Sequence, residues 1–234
     1  MSDLRYRYMS REKAGLKRPK AVRAADHNGH QCFHWSASDI TERTSRQRAH
    51  DKAKEPQKPG IKWYRLWRNP ATDPITRANI SRKIRSYNKA KRKHNKAFES
   101  DPRVLDKLDK KAASIWRSFQ ASHFARNYAD IGYSEGHFAH GLVIEGRGYG
   151  VHCAASGPRA NYMFNSVNVM GPGDKVTSEM MNSNAIRSTT LNVGLTLDQR
   201  HGHNDYMPTA CPGPSNRATF LTEAWTKFLA SFRK

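Results

Sequence analysis

A histidine and a cysteine stand eight residues apart in His203-Asn204-Asp205-Tyr206-Met207-Pro208-Thr209-Ala210-Cys211-Pro212-Gly213, where prolines at 208 and 212 bend the chain back on itself. Zinc favours this mixture of imidazole and thiolate, and a catalytic site needs three protein ligands with one position left for water. The third ligand must come from elsewhere. The candidate is His34, at the end of a short apolar run in Cys32-Phe33-His34-Trp35-Ser36-Ala37-Ser38. Taken singly these residues have plainer readings: a strand-end histidine is more often structural, and Cys211 could be a small buried apolar group. Cys32, Cys153 and Cys211 are too few, and odd in number, for a disulfide framework, which fits synthesis in a reducing cytosol.

The elements that must position these groups are partly legible. Gln31 to Trp35 reads as a buried strand after the Asn28-Gly29 turn, and Ser36 to Gly60 as polar loop. Asp73-Pro74 starts a basic helix in which Ile80, Ile84 and Tyr87 recur at helical spacing. Asp101-Pro102 starts another, with Leu105, Leu108, Ala112, Ile115 and Phe119 on one stripe. From Gly132 onward short apolar stretches between glycines predict strands, Leu142–Ile144 and Val167–Met170 foremost. Thr177 to Leu191 reads as a weak helix, diluted by Ser178, Asn182 and Asn184. Pro214 to Phe232 reads as one continuous helix with Phe220, Leu221, Trp225, Phe228 and Leu229 on a single face. No internal repeat occurs, and no apolar run is long enough to span a bilayer.

Charge divides the chain. The formal net charge is +21, and residues 1–111 hold 30 Lys and Arg against 12 Asp and Glu, so +18 of it lies in that half. Such a field draws polyanions in general: nucleic acid, anionic lipid, or the acidic polymers of a cell wall. Residues 1–28 read as a basic arm, mobile or loosely docked. Residues 60–111 read either as an electrostatic anchor or as a solvated helical hairpin, with Trp63, Tyr64, Trp67 and Tyr87 interleaved among the cations.

Several segments, in order, resemble the type 2 N-acetylmuramoyl-L-alanine amidase family, which includes phage lysozyme amidases and peptidoglycan recognition proteins. These are Cys32 to Ser38, then Asp130-Ile131-Gly132-Tyr133, then Gly141-Leu142-Val143-Ile144-Glu145-Gly146-Arg147-Gly148-Tyr149. Val151-His152-Cys153-Ala154, Asn165-Ser166-Val167 and His203 to Gly213 follow. The resemblance implies an α/β fold, a central mixed sheet flanked by helices, interrupted at about 45–111 by a basic, mostly helical insertion. It implies Zn2+ held by His34, His203 and Cys211, with Tyr133 and Thr209 as catalytic residues. His152, Arg147 and Asn165 are implied as substrate-binding, with peptidoglycan as partner, and the unit is expected to be a monomer. The implied reaction is hydrolysis of the amide between muramic acid and L-alanine.

The chain departs from the family in two places. Between His34 and Tyr133 lie 98 residues, far more than in compact members. After Tyr133 the family runs into an apolar strand, whereas Ser134-Glu135-Gly136-His137-Phe138-Ala139-His140 is polar here. His137 and His140 are therefore alternative ligand or groove candidates, with surface histidines as the default. The basic N-terminus lacks the apolar stretch of a secretory signal. Together with the cationic insertion this leads to the expectation of a phage endolysin, made in the host cytoplasm and released to the wall. The competing readings are a nucleic-acid-binding protein on an amidase-like scaffold, and a wall receptor that binds without cleaving.

Overall fold

The computed structural model describes residues 7–37, 65–66, 68–69, 71–96, 102–171 and 173–232. Trp63, Tyr64, Trp67 and most of the expected loop before Gly60 lie outside the described residues. Contacts divide the chain into two units, 43–104 and the remainder. The insertion expected at about 45–111 overlaps the smaller unit. Residues 105–111 belong to the larger unit, where Asp109 pairs with Arg7 at 2.7 Å and with His140 at 2.9 Å.

The larger unit is an α/β structure around one six-stranded mixed sheet. Its strands are β1 (Arg7–Met9), β2 (Gln31–Trp35), β3 (Glu135–Phe138), β4 (Leu142–Glu145), β5 (Phe164–Val169) and β6 (Arg200–Gly202). They lie in the order β1-β4-β3-β5-β2-β6, and every pairing is parallel except β3 with β4. One face packs on α2 (Pro102–Ala125): Ala112, Ala113, Ile115 and Trp116 meet Phe138, Leu142, Ile144, Val167 and Val169. Trp116 comes so close to β3 that a Cβ on Gly136 would sit 2.7 Å from its ring. A side chain at 136 would force strand and helix apart.

The other face carries α3 (Ser178–Leu191), α4 (Gly213–Phe220) and α5 (Glu223–Ala230), with Phe33, Ala185, Phe220, Trp225 and Leu229 as its apolar core. Beneath α3 the contact is polar instead. Ser188 donates to Gln31 (2.8 Å), Asn184 to Asn168 (3.0 Å), and Arg187 to Glu135 (2.8 Å). The expected single helix over Pro214–Phe232 is two helices. Thr222 breaks it, its side chain capping Trp225 N while its carbonyl accepts from Arg200.

The segment read as a loose arm is docked along its described length. β1 adds an edge strand to β4, and the Arg11 guanidinium bonds Asp130 (2.9 Å) and the Gly146 carbonyl (2.8 Å). Ala24 bridges Val151 further on. Met9 and Ala14 reach the core, but most of this docking uses ion pairs and backbone hydrogen bonds, so no apolar period announces it. In the smaller unit, α1 (Pro74–Lys96) starts as expected, Asp73 accepting from Thr76 N at 2.8 Å. It carries nine Lys and Arg and no acidic residue. Ile80 is buried, whereas Arg82, Lys83, Arg85 and Lys89 are exposed.

Candidate metal centre

β2 and β6 are parallel neighbours with Phe33 opposite Gly202, so the next residues, His34 and His203, emerge side by side at the ends of their strands. β6 stops there because Gly202 leads into a 3-10 turn over His203–Asp205, held by Asp205 accepting from Gly202 N. The turn-rich segment then returns: Asn204 N donates to the Cys211 carbonyl at 2.9 Å, and Trp35 N donates to Cys211 Sγ at 3.2 Å. Gly213 lets the chain enter α4, with φ of +78° and no room for a Cβ, which would lie 2.5 Å from Trp35. Asn216 on α4 ties the two arms, donating to the carbonyls of His34 (3.1 Å) and Pro212 (2.9 Å).

These constraints bring His34, His203 and Cys211 together, their ligand atoms all within 4.8 Å of one another. The imidazole centroids of His34 and His203 are 4.7 Å apart, and His34 Nδ1 lies 3.7 Å from Cys211 Sγ. A tetrahedral zinc with Zn–N about 2.05 Å and Zn–S about 2.3 Å spans about 3.6 Å between those two ligand types. The donor set therefore fits zinc in kind, and the His34–Cys211 separation matches that span. Burial, reinforced by His203, drops the His34 pKa to about 3, and burial also lowers that of His203. Both rings are thus neutral near pH 7, the form that ligates metal. Burial raises the Cys211 thiol to about 11 against the opposing pull of the Trp35 amide. A cation at this point would reverse that, since a coordinating thiol is deprotonated.

Tyr133, at the turn before β3, sets its ring edge-on to His34 with 5.2 Å between centroids. Burial, and then Cys211, push its hydroxyl well above the usual tyrosine range, so it stays a proton donor. Thr209 is exposed, and its hydroxyl accepts from Cys211 N at 3.2 Å, so it shapes the ligand turn. Arg147 spends its side chain on the carbonyls of Ile131 (2.6 Å) and His152 (2.8 Å), tying the Tyr133 turn to the next loop. His152 is half-buried in that loop, Nδ1 on the Cys153 carbonyl.

Asn165 differs from its expected place on a substrate surface. It is fully buried, with Oδ1 2.8 Å from His34 Nε2, so it touches His34 and not the solvent. His137 and His140 are neither ligands nor surface residues. His137 is buried between Glu135 (2.9 Å) and Ser183 (2.9 Å), and His140 is on Asp109. Two residues at the centre had no sequence signal at all, Ser156 and Asn216. Their contacts arise from segments 122 and 182 residues away from His34.

No family model matches the chain, and no curated protein does. Solved structures do. The wild-type Drosophila peptidoglycan recognition protein LB is 15% identical, covers 94% of this chain and 99% of its own, and superposes with a TM-score of 0.57. A Tyr-to-Phe mutant of that protein in complex with tracheal cytotoxin gives 16%, 89%, 89% and 0.54. Drosophila peptidoglycan recognition protein SD gives 13%, 94%, 98% and 0.54. With its six-stranded mixed sheet and flanking helices, the chain has the fold of the peptidoglycan recognition proteins, which is that of the type 2 amidase family.

Proposed function

We propose that this chain is a zinc-dependent N-acetylmuramoyl-L-alanine amidase acting on peptidoglycan. The convergence of His34, His203 and Cys211 within 4.8 Å of one another, on a fold whose solved relatives include one in complex with tracheal cytotoxin, carries this reading. Zinc supplies a water acidic enough to ionise near neutral pH and a Lewis acid for the amide carbonyl. The chain's own residues do the rest. His34 and His203 offer neutral nitrogens, and Trp35 N steadies the Cys211 sulfur. Tyr133 keeps its proton and donates it as a hydrogen bond to the carbonyl oxygen as negative charge grows there. Thr209 holds the ligand turn, and Arg147 fixes the loop that presents His152 to the substrate. The setting is wall lysis, as by a phage endolysin.

The test is digestion of purified peptidoglycan. New N-terminal L-alanine on the stem peptides supports the amidase. Reducing ends without new amines mark a glycosidase, and tight binding with neither marks a receptor. Tyr133→Phe should lower kcat about 10²- to 10³-fold, the scale of one lost oxyanion donor, with zinc content unchanged. A variant within about twofold of the parent would remove Tyr133 from the reaction.

The basic unit is assigned to anionic wall polymers. Replacing exposed Arg82, Arg85 and Lys89 by Gln leaves the catalytic unit intact, whereas deletion of 60–111 would cut into α2. At about 1 kcal/mol for each cation near an anionic surface, the triple variant should bind walls up to about 100-fold more weakly at low salt. The gap should close as salt rises. Unchanged binding makes the unit a passive insertion, and retention on DNA without amidase activity favours a nucleic-acid partner.

A further inference from the structure

We infer that Asn165 and Ser156 are positioning residues that hold His34 with its hydrogen on Nε2 and so present a bare Nδ1 to the metal. The inference rests on the zinc reading of the site and adds what makes His34 a ligand. Asn165 cannot turn its amide round: Nδ2 donates to the carbonyls of Met163 (2.6 Å) and Ala160 (3.4 Å), which can only accept. Its Oδ1 therefore faces His34 Nε2 at 2.8 Å. The Ser156 hydroxyl has one proton and three neighbours that could take it, the Asn165 oxygen, the Cys32 sulfur and His34 Nε2 itself. The close contact with Asn165 Oδ1 is a hydrogen bond only if the serine donates, because the amide oxygen has no proton to give, whereas Nε2 can donate; the proton therefore goes to Asn165 and a lone pair of Ser156 Oγ is left toward Nε2 at 2.8 Å.

Both neighbours of Nε2 are thus acceptors, and only a protonated Nε2 satisfies them. His34, Asn165 and Ser156 are almost wholly buried, so water does not rescue the other tautomer. With the hydrogen on Nδ1, two lone-pair oxygens would face a third lone pair in a dry site, and a proton would stand between His34 and Cys211. The third contact closes the arrangement: Ser156 N donates to Asn161 Oδ1 at 3.0 Å and fixes the serine in place. An imidazole that donates its far hydrogen is also a better metal ligand, and loss of such a partner typically weakens metal binding.

The test uses the full chain. In the metal-free protein, two-bond 1H–15N correlation spectra read the His34 tautomer directly: the Nε2–H form is expected, and the Nδ1–H form overturns the inference. Zinc affinity is then measured by competition with a chromogenic chelator. Asn165→Leu, which cannot accept, and the milder Ser156→Ala should each weaken Zn2+ binding about 10- to 100-fold. Ser156→Thr should restore it. Folded variants with tautomer and affinity within twofold of the parent overturn the assignment. A parent chain that binds no zinc overturns the metal centre itself, and is distinguishable because the tautomer is read without metal.

Discussion

Cys211→Ser is expected to fold, to lose its zinc on gel filtration, and to release L-alanine termini at least about 10³-fold more slowly than the parent. That factor corresponds to about 4 kcal/mol of transition-state stabilisation, within the several kcal/mol a Lewis-acidic metal supplies. The fold should survive because the thiol is only partly buried, and its bonds to Trp35 N and Trp35 O suit a hydroxyl of nearly the same shape. The metal should not survive, because a neutral hydroxyl is a poor zinc ligand beside two imidazoles. Metal analysis and amine release on one preparation decide the matter. Chelation of the parent should reproduce the loss, and added Zn2+ should reverse it. A serine variant with full activity would sink the ligand set.

Arg187→Met should cost about 3–5 kcal/mol in urea unfolding at pH 7, the scale of breaking a buried ion pair from one side. Glu135 lies wholly inside the protein on β3, held by Arg187 at 2.8 Å and His137 at 2.9 Å. Burial alone would raise its pKa, but His137 and Arg187 outweigh burial and hold it below the ordinary value of 4.5. A lowered folded pKa contributes stability that is complete above about pH 4.5 and is lost as pH falls through the lower folded value. Without Arg187 that acid slope should weaken, because burial then acts on the carboxylate with less opposition. The solvent-exposed Lys110–Asp106 pair is the control: Lys110→Met should cost less than about 1 kcal/mol. A similarly small cost for Arg187→Met would show that Glu135 does not depend on its partner.

The same buried pair explains where sequence reading stopped. An apolar stripe revealed α2 and short apolar runs revealed β2 and β4, because their core positions are Ala, Ile, Leu, Phe and Trp against a matching surface. β3 and α3 bury Glu135, His137, Ser183, Asn184 and Ser188 instead, satisfied by each other or by Asn168 of β5 and Gln31 of β2, so their patterns resembled solvent-facing chain. The break at Thr222 was hidden for the opposite reason: the apolar spacing continues through it, and only a tertiary bond from Arg200 and a local cap show the stop.

The sequence by itself carried the composition of the candidate metal centre and its order along the chain. His203 and Cys211 share one bent segment, and His34 ends an apolar strand. What only the tertiary structure decided is their convergence, since the parallel pairing of β2 with β6 sets two histidines 169 positions apart side by side. It also decided which nitrogen of His34 faces the cysteine, through Asn165 and Ser156. Ligand identity is a property of side-chain chemistry and so is written locally. Spacing and tautomer depend on hydrogen bonds between distant segments, which exist only once the sheet has closed.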